Sequence, residues 1–456
     1  MIDPAAAASV TPTANRVEKK LGEREGYSFW IGTFFIVSNM AGSGVLVLPR
    51  ALADTGWGGI VFIILCCSAS LYAGLCIARC WNILEERYVE FRNVRHRKPY
   101  PAIAEKAYGV HMRNILSVVL QINFLGISIV YLLLPAEMIA KLIPSSWGIP
   151  FCYWILILAA VICPMMWFGT PKDFWIAAVL ALVTIIGSII MLLVAIAKHA
   201  SSISLKVTHK NPTFLSFFLS MGSIFFSFGG ASSFPTFQND MKNKDAFPRA
   251  VITGFAIVFL MYLPVAVFGY HVYGDTVHMD ITDSTPPSVY RTIVLFFMSF
   301  RSLFVFLMVI NATSQEFEDI LNVPDKFGWQ RVLVRVTILL FVLFVALSIP
   351  RFGKILNLVG ASTITLCCTV FPCLFYYKLC SDVLPTWPDR SLPTYKKIIL
   401  IIIGASGILG GAIATYSSFL DIVKLEEFHP PCYLNMKGNS TSSNASIDAL
   451  SLEHYF

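Results

Sequence analysis

The sequence predicts an all-α integral membrane protein with eleven transmembrane helices, and two observations carry that expectation. Only 13% of the 456 residues are charged and 56% are hydrophobic, with a mean hydropathy of +0.69, whereas an average soluble chain carries about 25% charged residues. Apolar stretches near the roughly 20 residues that a bilayer-crossing helix needs recur eleven times between residues 27 and 420. This composition excludes a disordered or ordinary cytosolic protein.

Taken in order, residues 1–26 form a polar tail bearing Arg16, Lys19, Lys20 and Arg24, with no apolar core that would make it a cleaved signal peptide. Spans 1 to 5 are expected near 27–51, 57–81, 114–138, 151–169 and 174–198. Spans 6 to 11 are expected near 213–236, 250–273, 288–313, 332–350, 354–378 and 397–420. The chain thus divides into a tail (1–26), one spanning domain (27–420) and a second tail (421–456). Lys and Arg number 22 on the side of the N-terminal tail against 10 on the other, with Arg79 and Arg301 inside spans. Positively charged loops stay cytoplasmic, so the first tail is read as cytoplasmic and the second as extracellular or lumenal. The net charge of +7 follows from this topology and does not call for a nucleic-acid partner. Two glycosylation triplets, at Asn439 and Asn444, fall in the second tail and agree with its placement. A third, at Asn311, lies inside a span and is discounted.

Of the eleven cysteines, nine lie in or at the inner ends of spans, where they act as small apolar residues. Cys152 and Cys432 alone fall on the oxidising side, and whether they pair is left open.

Spans 1 and 6 are unusual. Gly42-Ser43-Gly44 interrupts span 1 and Gly229-Gly230 interrupts span 6, each about midway. Five helices separate them, so they cross the membrane in opposite directions, and such a pair marks the binding site in transporters built from inverted repeats. A helix cannot break inside hydrocarbon unless its freed backbone groups find partners. Freed N–H groups attract a carboxylate and freed carbonyls attract an ammonium or Na⁺, so a zwitterionic amino acid suits both. The alternative is that these glycines only allow close helix packing, the role assigned to Gly404, Gly407, Gly410 and Gly411 in span 11.

The stretch from Asn39 through Gly42-Ser43-Gly44 to Leu48-Pro49 resembles the helix 1 signature of the amino acid/auxin permease family, within the amino acid-polyamine-organocation superfamily. Phe226 to Pro235 with Gln238, Met241 and Phe247-Pro248, Tyr100-Pro101 to Tyr108-Gly109, and Val359-Gly360-Ala361 with Phe371-Pro372 are similar to other parts of that family. The resemblance implies a LeuT-type fold of five plus five inverted helices and one more, moving amino acids by alternating access. Arg50, Arg301 and the long second tail depart from the family pattern, and these departures bear on substrate rather than fold.

The substrate-binding residues expected on this basis are Ala41, Gly42, Ser43, Gly44, Tyr131, Ser227, Phe228, Gly229 and Gly230, with Tyr131 as a lid. Arg301, costly in mid-membrane, is read either as a substrate or gate contact or as a structural donor to carbonyls. Carbonyls near Met40 and Ala41, with Asn311, Thr313 and Ser314, are the expected ion site; the same side chains also read as a hydrogen-bond cluster within the bundle, as do Gln121 and Asn123. Glu137 and Lys141 are read as a surface pair. Span 1 lacks His, Asp and Glu between Tyr27 and Pro49. Phe35 stands where some proton-coupled relatives carry a histidine, and oxygen ligands of this kind suit Na⁺. His271 and Glu105 leave H⁺ open.

No structural metal spacing, phosphate loop or nucleophile elbow is present, so neither an enzyme nor a bound cofactor is expected. The reading is a glycosylated symporter, active as a monomer in a plasma, endolysosomal or vesicular membrane, carrying small or neutral amino acids with Na⁺ or H⁺. The alternative is a non-transporting amino-acid receptor on the same fold.

Overall fold

The computed structural model describes residues 26–92, 96–167, 174–202, 207–209, 211–324, 328–382, 387–388, 390–423 and 431–435. Nearly all of the expected first tail lies outside these residues, as do the triplets at Asn439 and Asn444. The described residues are almost entirely helical. Nine helices among them are long and apolar enough to cross a membrane, and ten if one bent pair counts as a single span. The protein is therefore an integral membrane protein.

Span 1 is the bent pair, α1 (Phe29–Met40) and α2 (Gly44–Thr55), whose axes differ by 54°. Next come α3 (Gly59–Arg87), a short connecting helix α4 (Pro99–Tyr108) and the 33-residue α5 (Val110–Leu142). The expected span 4 is α6 (Phe151–Trp167), an apolar helix of 17 residues. At 1.5 Å per residue it is about 26 Å long, just short of the bilayer core. Span 5 is α7 (Phe174–Ser202).

The second half repeats the pattern. Span 6 consists of α8 (Phe214–Ser227) and α9 (Phe234–Asn239), joined by one tight turn at Ala231–Ser233. It is followed by α10 (Phe247–Tyr273), the one-turn α11 (Ile281–Ser284), α12 (Val289–Ile320) and α13 (Trp329–Ser348). Span 10 runs from α14 (Phe352–Val359) through two π-helical turns, Gly360–Ile364 and Leu366–Val370, into α15 (Phe371–Ser381). Wide turns of this kind shift the helix register and tend to occur at functional sites. Last are α16 (Thr394–Val423) and the small α17 (Cys432–Asn435).

The interrupted helices occupy the centre. α2 packs on α8, and α10 packs on both α1 and α2, while α12 lies along α5 and α7. α16 is covered least, with 22% of its apolar window buried, so its other faces meet lipid. Gly407, Gly410 and Gly411 of α16 do pack closely, against Val370, Met221 and Ala361. Gly404 does not, since it faces open space.

Span 1 is also stitched to span 6 at its start. Tyr27 N–H donates to the Asp240 carbonyl at 2.9 Å, and Lys242 N–H donates to the Tyr27 carbonyl at 3.0 Å.

Cys152 and Cys432 form a disulfide with their Cα atoms 5.6 Å apart, which ties α17 to the start of α6. The other nine cysteines are free, and all but the half-buried Cys163 are buried.

Candidate functional site

The centre of the site is the break in span 1. α1 stops at Met40 because Ala41 turns extended (φ −68°, ψ 101°), and α2 begins three residues later. The freed groups are satisfied by side chains from other helices. The Tyr262 hydroxyl of α10 donates to the Met40 carbonyl at 2.9 Å and accepts from Gly42 N–H at 2.8 Å, splicing the two half-helices. Arg301 of α12 donates from Nη2 to the Ser38 carbonyl at 2.8 Å. Such partners are what an irregular backbone requires at membrane depth.

The break in span 6 faces it. Gly229 and Gly230 N–H groups turn back to Phe226 and Phe228 carbonyls, both at 3.2 Å, and Asn39 Nδ2 donates across to the Gly230 carbonyl at 3.3 Å. A Cβ on Gly230 would collide with Met40, and one on Gly42 would collide with the Tyr131 hydroxyl. Glycine is needed at both positions for close approach.

Between the breaks lies a cavity of about 40 Å³ lined by Asn39, Met40, Tyr131, Phe226, Gly229 and Ser232 among others. That holds a few waters at most. It shares Asn39, Phe124, Ser232, Ser233 and Val309 with a larger cavity of about 280 Å³, which runs to Lys98, Glu316 and Asp319. At that end Lys98 pairs with Glu316 at 2.8 Å and Arg97 pairs with Asp319 at 2.9 Å.

The opposite end is strapped shut. Lys141 meets Asp280 at 2.7 Å, Asp283 at 2.8 Å and Glu137 at 3.0 Å. The expected Glu137–Lys141 pair therefore exists, but it is not a simple surface pair. The segment after α10 folds over the end of α5 and brings in Asp280, which is 1% exposed. Arg50 adds a bond to the Val277 carbonyl at 3.1 Å and an ion pair with Asp54 at 2.8 Å.

Of the expected substrate residues, Tyr131 and Gly229 line the small cavity, as does Met40 from the expected ion site. Ala41, Gly42, Ser43, Gly44, Ser227, Phe228 and Gly230 lie at or beside the breaks and line neither cavity. Arg301 is fully buried and lies beside Gly42. Thr313 and Ser314 are fully buried, and their hydroxyls donate to the Val309 and Ile310 carbonyls at 3.3 and 2.8 Å. Neither they nor Asn311 line either cavity. Gln121 lines the larger cavity, while Asn123 accepts from the Thr363 hydroxyl at 3.0 Å. Sequence reasoning missed Tyr262, and it cited Asn39, Ser232 and Ser233 only as parts of motifs. Tyr262 carried one available signal, a hydroxyl inside an apolar span.

A bent first span and an interrupted sixth, meeting at a cavity within an apolar helix bundle, define a membrane transporter of the LeuT type. Solved structures agree on the fold. MhsT in complex with L-phenylalanine superposes with a TM-score of 0.53 at 12% identity, covering 87% of this chain and all of that one. The manganese transporter of Eremococcus coleocola, in complex with an aromatic bis-isothiourea substituted compound, gives 0.53 at 11% identity, over 99% of this chain and 95% of that one. In sequence, the family profile described as "Transmembrane amino acid transporter protein" matches residues 25–417. The chain belongs to that family, the amino acid/auxin permeases, which are transporters and not enzymes. Among similar proteins of Arabidopsis thaliana, amino acid transporter AVT1E is 22% identical over 85% of this chain and 72% of its own length. AVT1J is 25% identical, over 87% and 91%, and lysine histidine transporter-like 1 is 24% identical, over 83% and 87%.

Proposed function

We propose that this chain is a secondary active transporter of small or neutral amino acids that works by alternating access, with the substrate held between the breaks of spans 1 and 6. The observation that carries the reading is the cavity flanked by both breaks, at which Asn39 joins one to the other. The route from that cavity toward Lys98 and Glu316, set against the Lys141 strap at the opposite end, matches a conformation open toward one side only. On this reading α6 completes a count of eleven spans, the first tail is cytoplasmic and the conformation faces inward. The disulfide supports the orientation, because both of its cysteines then lie in an oxidising compartment.

Transport is coupled to Na⁺ or H⁺. A hard cation at the span 1 break would compete with Tyr262 for the Met40 carbonyl, while Glu105 is already paired with Arg113 at 3.0 Å. The test is uptake of each of the twenty amino acids into proteoliposomes, with and without a Na⁺ gradient and an imposed pH gradient. Accumulation of at least one amino acid under one gradient is expected. Binding of an amino acid with no uptake under any gradient would replace the transporter reading with that of a receptor.

A further inference from the structure

We propose that Arg301 is the anchor for the carboxylate of the transported molecule, an assignment that rests on the amino-acid reading above. Arg301 is fully buried within α12. It has no ion pair among the described residues, and its Nη2 donates to the Ser38 carbonyl. Nε and Nη1 have no partner. A buried charge left short of partners is strongly unfavourable, and a guanidinium with open N–H groups is shaped for a carboxylate, which it can bind in fork geometry.

Its position points the same way. A Cβ built on Gly42 would stand 3.1 Å from Nη1 and 3.3 Å from Nη2, and would touch the Tyr131 hydroxyl as well. Tyr131 lines the small cavity, so Gly42 is a close neighbour of both the guanidinium and a residue of the cavity wall. None of the described lining residues of the small cavity is charged.

The helix-start donor that would ordinarily meet an anion here is already used, since Gly42 N–H donates to Tyr262. The Ser43 hydroxyl, next in the chain, is buried and without a partner. The anion charge of a zwitterion therefore falls to Arg301 across the break, with the Ser43 hydroxyl as a second donor. The Tyr131 side chain lines the cavity and its hydroxyl lies beside Gly42, which places it to act as the lid.

The test is thermal stabilisation of the purified full-length protein in detergent by each L-amino acid and by its carboxamide, and by sodium acetate against sodium chloride at equal Na⁺. At least one amino acid should stabilise the wild type, and its carboxamide should not. In Arg301→Gln the concentration for half-maximal stabilisation should rise about thirty-fold, equivalent to about 2 kcal/mol. Arg301→Lys keeps the charge without the fork and should fall between the two. Arg301→Gln removes a buried charge that has no ion partner among the described residues and Arg301→Lys keeps a donor of similar reach, so both variants should fold. If they do not, the wild type still decides, because a carboxamide as effective as its acid overturns the proposal. Amino-acid binding that is unchanged in Arg301→Gln also overturns it while leaving the amino-acid reading intact. Stabilisation by acetate through Arg301 with no response to any amino acid keeps the carboxylate anchor and sinks the amino-acid reading. A response to chloride alone replaces the carboxylate with a resident halide, and no response to any probe sinks both.

Discussion

The Tyr262 hydroxyl serves two backbone groups that the break in span 1 sets free, the Met40 carbonyl and the Gly42 N–H. Tyr262→Phe would leave both unsatisfied inside the bundle, at about 1–3 kcal/mol for each group. A melting temperature lower by several degrees is expected in a thermal-shift assay, and an unchanged value would show that water replaces the hydroxyl. Gly42→Ala tests the break from the other side. Its added methyl meets the far end of the Tyr131 side chain, which can shift, so the protein should fold while amino-acid affinity falls at least about ten-fold, a loss of about 1.4 kcal/mol. Gly229→Val is less clean, because it meets Ile364 and the Phe225 backbone carbonyl as well. The glycines were legible in the sequence because they interrupt long apolar runs. Tyr262 was not, since its partners lie 220 and 222 residues away and a lone tyrosine in an apolar helix reads as ordinary core.

Among the elements, hydrophobic runs located the apolar helices well, including α6, whose 17 residues sit near the lower limit for a crossing helix. What they could not convey is how the connecting segments close over the ends of the bundle. Lys141 reads as an i,i+4 partner of Glu137, yet Asp280 and Asp283 arrive from a stretch about 140 residues later. The hydroxyls of Thr313 and Ser314 were hard to read for a related reason. In the sequence they read either as ion ligands or as a hydrogen-bond cluster between helices, whereas each donates back to its own helix. The strap at Lys141 should be energetically coupled. Lys141→Met and Asp280→Asn should each lower the melting temperature, and the double variant should lose less than the sum, with a coupling of about 1–3 kcal/mol. Additive losses would mean that the pair does not hold that end closed.

At the scale of the molecule, topology can be checked with two chemical counts. In denatured, unreduced protein nine thiols should react with maleimide, and eleven should react after reduction, because Cys152 and Cys432 are bridged. Glycosidase treatment of protein made in animal cells should lower its mass, and Asn439→Gln with Asn444→Gln should abolish that shift. A tail that is unmodified and open only to the cytosol would move the span count by one. Charge asymmetry and the two triplets are the sequence signals for this topology, and the glycosidase result tests them. The bridge was not legible in the sequence, because two cysteines 280 positions apart carry no spacing signal.

The stitches between spans 1 and 6 have a mechanical consequence. α1 is fastened to the span 6 side twice, by the backbone pair at Tyr27 with Asp240 and Lys242 and by the Asn39 amide at Gly230. A swing of α1 by itself would tear both fastenings, whereas turning α1 and α9 together strains neither. The two half-helices are therefore tied to one another as parts of one lever, and the Tyr262 hydroxyl bonds to span 1 at the break where such a lever would pivot.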